Sequence, residues 1–148
     1  SLVTPTPTGD LLPEPYYWHS NQPSIDAAFL FHAVDRPDRV AYWVNEVRNQ
    51  KYGPEADGVP GNDDGGTMSA WYVFTSIGLY PRIGTSRYWT SQPLFRAVQF
   101  DTGADESTTL RVRDELSCCE GYGLATPDGE ITHEIEHEDL LGETLLFE

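Results

Sequence analysis

The sequence predicts a mainly α fold with a smaller β region at its C-terminal end, and three observations predict it. Val40, Trp43, Val44 and Val47 recur at i, i+3, i+4 and i+7, the spacing of one helix face. Ser69 to Leu79 is almost uniformly apolar behind a glycine-rich stretch, which reads as a buried helix. From Tyr88 onward the pattern changes to short runs such as Thr108 to Arg113, where apolar and polar residues alternate as in a strand.

Taken in order, residues 1–15 carry Pro5, Pro7, Pro13 and Pro15, so they read as an extended lead-in without helix. The aromatic cluster Tyr16-Tyr17-Trp18-His19 follows, then Ser20-Asn21-Gln22-Pro23 and a helical run to about Val34. Pro23 is tolerated there because first-turn amides have no intrahelical partner. Pro37 and Asp38 open a second helix, which Gly53 and Pro54 stop. Glu55 to Gly66 is a loop, and Thr67 is the expected N-cap of the buried helix, which ends at Gly78 to Pro81. The helical part therefore spans 16–82. A β-rich region, 83–148, is expected to hold strands at Tyr88-Trp89, Leu94 to Phe100, Thr108 to Arg113 and Leu145-Leu146-Phe147.

Net charge is −15, from 24 acidic and 9 basic residues. No basic stripe exists to neutralise phosphates, so nucleic acid is not an expected partner. No stretch approaches the roughly 20 apolar residues needed to cross a bilayer. The opening from Ser1 lacks the progression of a secretory signal. Cys118 and Cys119 are adjacent and are expected to be free thiols rather than a disulfide framework or a zinc site.

The stretch with the most chemistry is Val59-Pro60-Gly61-Asn62-Asp63-Asp64-Gly65-Gly66. Its glycines permit backbone angles other residues avoid, and between them sit an amide and two carboxylates. It reads either as an acidic surface turn or as charge held rigidly at the head of the buried helix. Asn21-Gln22-Pro23 lies just before another helical run. If the two helices pack side by side, both loops open on the same end of the layer.

Several of these strings resemble glycoside hydrolase family 92. They are Ser20-Asn21-Gln22-Pro23-Ser24, Asp57-Gly58-Val59-Pro60-Gly61-Asn62-Asp63-Asp64, Gly66-Thr67-Met68-Ser69-Ala70-Trp71-Tyr72-Val73-Phe74, Gly78-Leu79-Tyr80-Pro81 and Ser91-Gln92-Pro93-Leu94-Phe95. The tail echoes the family more loosely at Ile131-Thr132-His133 and Glu138-Asp139-Leu140-Leu141. The resemblance implies a calcium-dependent, inverting exo-α-mannosidase whose catalytic unit is an (α/α)6 toroid behind a β-sandwich. This chain would be a C-terminal piece of it, with the toroid incomplete and the N-terminal part of the same protein as its partner. It further implies an extracytoplasmic, secreted setting and an α-mannoside or mannosyl-phosphate glycan as substrate.

By position in the resemblance, Asp64 is the base that activates water, and Asn62 falls where many members carry a second carboxylate. His19, Asn21 and Asp63 would contact substrate. Gln22 stands where the family places its acid, a glutamate. An amide cannot protonate a departing sugar oxygen, whereas phosphate leaves as a stable anion without protonation. Gln22 is thus similar to the variant of the family that cleaves mannosyl phosphodiesters; the alternative is an inactive carbohydrate-binding or scaffold remnant.

A second motif, His133-Glu134-Ile135-Glu136-His137, satisfies H-E-x-x-H, which on a helix would hold zinc for a metalloprotease. The flanking residues do not extend an amphipathic helix and no well-spaced third ligand follows, so an acidic, solvated turn is expected. Asp57 to Gly66 lacks the residue order of an EF-hand loop. The calcium ligands are not legible in the sequence.

Overall fold

The computed structural model describes residues 3–5, 11–13, 17–103, 106–113, 121–126 and 128–148. The expectation for Cys118 and Cys119 lies outside them. Strands β1 (Val3–Pro5) and β2 (Leu11–Pro13) pair antiparallel. A short 3-10 turn, Gln22–Ser24, and a longer 3-10 helix, Ala27–Val34, lead to α1 (Pro37–Lys51). Another 3-10 turn, Asp64–Gly66, precedes α2 (Thr67–Ile77). Helices therefore come first and the larger sheets follow.

The helical run before Val34 is a 3-10 helix rather than an α-helix, and its packing explains the tighter winding. At three residues per turn, side chains three apart line up. Phe29 and His32 both stack on Trp89, with ring centroids 5.9 and 6.5 Å away. Asp35 ends the segment in the left-handed region, its N–H donating to the His32 and Phe31 carbonyls.

α1 buries Val40, Val44 and Val47 as its spacing predicts, but Trp43 remains 44% exposed. Its indole borders an apolar groove of about 460 Å³, lined also by Tyr17, Ala28, Phe31 and Val47. α2 forms where expected, yet only one face is covered: Met68, Trp71 and Thr75 are buried, whereas Val73 is 58% exposed. All-round apolarity thus marks a helix whose outer face meets solvent in this chain. Arg48 lies buried beneath the end of α2 and donates to the Thr75 and Gln92 carbonyls. Burial pulls its guanidinium down to about 10.

The β region forms two sheets. β3 (Leu79–Pro81), β4 (Arg87–Thr90) and β9 (Glu134–Glu136) make one, all antiparallel. The other has the order β5 (Ala97–Gly103), β6 (Glu106–Val112), β10 (Thr144–Phe147), β7 (Leu124–Ala125), β8 (Ile131–Thr132). In it the Leu-Leu-Phe segment runs parallel to β6, with Leu145 opposite Leu110. The expected strand from Leu94 begins only at Ala97, because Leu94 to Arg96 bend outward and Leu94 and Phe95 are exposed.

Two hydrophobic cores result. One gathers Ile25, Phe29, Val40, Val44, Met68, Trp71 and Tyr80 under the helices. The other gathers Leu79, Leu110, Leu124, Ile135, Leu140 and Phe147 in the sheets. Phe29 is fully buried and stacks on Tyr80 with centroids 4.3 Å apart. Phe29→Ala should therefore destabilise the folded protein by about 3–5 kcal/mol, read as a lowered urea midpoint with unchanged slope.

Candidate active site

The loop before α2 is built from successive left-handed residues. Gly61 has φ 68°, and after Asn62 come Asp63 at 57°, Asp64 at 37°, Gly65 at 72° and Gly66 at 91°. Aspartate is among the few side-chain-bearing residues that tolerate this region, and such conformations concentrate at functional sites. What holds the bend is Asp63. Its carbonyl accepts N–H donors from Gly66 at 3.0 Å and Thr67 at 2.8 Å. Its carboxylate accepts from the Ser69 N–H at 2.8 Å and the Ser69 hydroxyl at 2.7 Å.

Gly66 thus holds the N-cap position expected of Thr67, and the Asp63 carboxylate caps the first turn of α2 from three residues further back by accepting from Ser69. Thr67 is instead the first helical residue, its hydroxyl donating to the Asp64 carbonyl at 2.8 Å. The Ser69 amide and hydroxyl hold the Asp63 carboxyl below its ordinary value. The stabilisation this implies is present above the unfolded value of about 3.9 and is lost as pH falls through the lower folded value, so the cap is intact at neutral pH. The substrate contact expected of Asp63 competes with this cap, because both its oxygens already accept from Ser69.

With Asp63 turned to the helix, Asp64 projects the other way and is exposed. The second loop meets it there. Asn21 opens the turn at Gln22–Ser24: its carbonyl accepts from the Ser24 N–H at 2.8 Å and its amide donates to the Ser24 hydroxyl at 3.0 Å. The exposed Gln22 then donates its Nε2–H to Asp64 Oδ2 across 42 residues of sequence. The two loops therefore converge at this contact, as expected, although the 3-10 helix Ala27–Val34 packs chiefly against α1 rather than α2. Asn62 is exposed two residues before Asp64.

His19 lies beneath this junction and is fully buried. Tyr52 donates its hydroxyl to the Met68 carbonyl at 2.9 Å, so it accepts from His19 Nε2–H at 2.8 Å. Nδ1 is then the acceptor for the Tyr17 hydroxyl at 2.6 Å. The ring also packs edge-on to Trp71, 4.4 Å between centroids. The substrate contact expected of His19 finds no exposed surface on its ring in this chain, where it ties the Ser20–Gln22 loop to the head of α2. Nothing in the sequence marks Tyr52 as the partner of His19 or Ser69 as the partner of Asp63.

The H-E-x-x-H string does not form a helix, nor the expected turn. Glu134–Glu136 is strand β9, where residues four apart are separated by two pleat repeats instead of one helical turn. Glu134 pairs with Arg82 at 2.6 Å, and Glu136 with Arg87 and the Ser86 hydroxyl. Both carboxylates are committed to cross-strand pairing, and the geometry a zinc protease needs is not formed.

Calcium takes six to eight oxygen ligands. Asn62 and Asp64 offer oxygens on one loop, but Asp63 is occupied by Ser69, and among the described residues no group of three or more acidic, His or Cys side chains converges on one point. These residues do not fit a complete calcium site by themselves.

Residues 7–148 match the glycosyl hydrolase family 92 catalytic domain. A protein of Arthroderma benhamiae described as an uncharacterized secreted glycosidase is 38% identical over 78 residues, 53% of this chain and 10% of that protein. A family GH92 α-mannosidase from Bacteroides thetaiotaomicron, solved in complex with mannoimidazole, is similar over 88% of this chain and 18% of its own. Its identity is 26% and its TM-score 0.75. A family GH92 inverting mannosidase of the same organism gives a TM-score of 0.72 at 26% identity over the same shares. The chain thus spans less than a fifth of the length of these relatives. Its match to the family extends over nearly all of its residues, and the chain belongs to glycosyl hydrolase family 92.

Proposed function

We propose that the complete protein containing this chain hydrolyses terminal α-mannosyl linkages with inversion, and that the bond it cleaves joins mannose to a phosphate. The observation that carries this reading is the contact between Gln22 and Asp64. Asp64 has an exposed carboxylate on a rigid bend, suited to taking a proton from a water that attacks the anomeric carbon. The side chain facing it is an amide, which has no proton to give to a leaving oxygen. Phosphate needs none: the carbon–oxygen bond breaks and the phosphomonoester departs as an anion. A neutral amide also avoids the repulsion that a carboxylate would exert on that group. An inverting pair is separated by about 6.5–9.5 Å, so the Gln22 amide must swing off Asp64 for sugar and water to enter.

The two solved relatives described as mannosidases support the sugar, and the secreted glycosidase supports an extracytoplasmic setting. The helices of this chain would then be one arc of an (α/α)6 toroid completed by the rest of the protein. Calcium belongs to the same reading, with most of its oxygen donors contributed from outside this chain. The test is to assay the complete protein, with and without added calcium, on a mannosyl phosphodiester and on α-mannobiose. The phosphodiester should be cleaved at least about 10²-fold faster, the scale of general-acid assistance that Gln22 forgoes. Faster cleavage of the mannobiose would overturn the leaving-group assignment. Inactivity on both would favour a carbohydrate-binding remnant.

A further inference from the structure

Gly61 lies against Ser20, and this contact joins the two loops that carry Asp64 and Gln22. A Cβ built on Gly61 would sit 2.5 Å from the Ser20 Cβ and 2.9 Å from its hydroxyl oxygen. Both are closer than atoms of this kind approach, and Ser20 is 8% exposed, so it has little room to retreat. Behind Ser20, His19 is clamped between Tyr17 and Tyr52, and Tyr52 is tied to Met68 of α2. The Ser20 backbone is therefore backed by buried structure on the side away from Gly61. Ahead of it, Asn21 and the turn at Gln22–Ser24 fix where the Gln22 amide emerges. From Gly61, three residues lead to Asp64 through a bend that Asp63 holds against Ser69.

We propose that Gly61 is a positioning residue for the Gln22–Asp64 pair. The missing side chain at 61 lets the Ser20 loop seat directly on the Gly61 loop, and that seating sets the gap in which substrate and water are held between residues 22 and 64. Both loops are stiffened on their far sides by hydrogen bonds to α2 or within their own turn. Any atom added at the seat is therefore transmitted to the gap instead of being absorbed. The inference rests on the catalytic reading of Asp64 given above.

The closing experiment uses the complete protein and the substrate it cleaves best. Gly61→Ala should lower kcat about 10²-fold, the penalty of displacing reacting groups by roughly an ångström, while KM changes less than about threefold. Ser20→Gly added to Gly61→Ala removes the atoms the new methyl meets and should restore kcat at least tenfold. Because the clash and the left-handed backbone at residue 61 also destabilise the fold, the unfolding temperature of each variant is read alongside, and a kcat loss in enzyme that remains folded at the assay temperature is what the positioning role predicts. Should Gly61→Ala fail to fold, Ser20→Val crowds the same seat without altering the backbone at 61 and should lower kcat at least tenfold.

A Gly61→Ala enzyme with the parent kcat, a loss that Ser20→Gly leaves unrelieved, or a Ser20→Val enzyme with the parent kcat would overturn the proposal. Asp64→Asn measured in parallel separates the two levels. If Asp64→Asn is inactive while Gly61→Ala is normal, only the positioning role fails. If Asp64→Asn retains near-parental activity, the catalytic reading itself fails.

Discussion

In the complete protein, Asp64→Asn is expected to lower kcat by roughly 10²–10⁴-fold on mannosyl phosphodiester and α-mannobiose alike. Activation of water is common to both substrates, so the loss should not depend on the leaving group. Folding should be almost untouched for two reasons. Asparagine tolerates the left-handed backbone that residue 64 holds at φ 37°. Its side-chain oxygen can still accept from Gln22, and Asp63 still caps α2 through Ser69. A variant with an unchanged unfolding temperature and the stated loss of kcat would place the effect in the chemistry. Near-normal turnover on either substrate would remove Asp64 from the mechanism.

Gln22→Glu should act in the opposite sense on the two substrates. A glutamate here would touch the Asp64 carboxylate, as the amide does now, and two carboxylates in contact cannot both be ionised. In the free enzyme the pair would share a proton; once substrate separates the two groups, that proton stays on the glutamate at 22 as the acid a sugar leaving group requires, and Asp64 remains the ionised base. The same change adds negative charge beside the phosphate. The ratio of kcat/KM for the phosphodiester to that for α-mannobiose should fall by about 10² or more. Activity of the variant on the mannobiose should decline as pH rises and the shared proton is lost. An unchanged ratio across the pH range would show that position 22 does not face the leaving group.

The order of elements and the pairing of the two loops were legible in the sequence, and specific residues show why. Gly53-Pro54 and the glycines at 61, 65, 66 and 78 punctuate the chain so strongly that α1 and α2 could be bounded without coordinates. The loops that carry Gln22 and Asp64 could be singled out because each stands immediately before a helical segment; which residue in each bears the chemistry came only from the resemblance to glycoside hydrolase family 92. Less visible was which carboxylate faced which way. Asp63 and Asp64 are adjacent and chemically alike, and only the left-handed bend sends one to Ser69 and the other to Gln22.

His19 could not be read either, since a histidine beside aromatic residues fits a ligand contact and a core position equally well. Its burial is decided by Tyr52 and Trp71, which are 33 and 52 residues away in the chain. The 3-10 helix at Ala27–Val34 lays Phe29 and His32 on Trp89 in a strand, a contact no local pattern encodes. For the H-E-x-x-H string the opposite holds. Its spacing is helical in appearance, but pairing of β9 with β4 overrides it, with Ile135 buried opposite Tyr88.

The turn that carries Gln22 contains no buried residue, and Gln22 itself lies on the surface. Glutamine and glutamate codons differ by a single base. Position 22 can therefore change between amide and acid in one genetic step without disturbing any buried packing, the cost being confined to its contact with Asp64, whereas the bend at 63–66 constrains its neighbours tightly. Under the reading proposed above, a lineage carrying this scaffold would exchange one leaving group for another by that single step, and the exchange would be reversible for as long as the carboxylate on the opposite loop is retained.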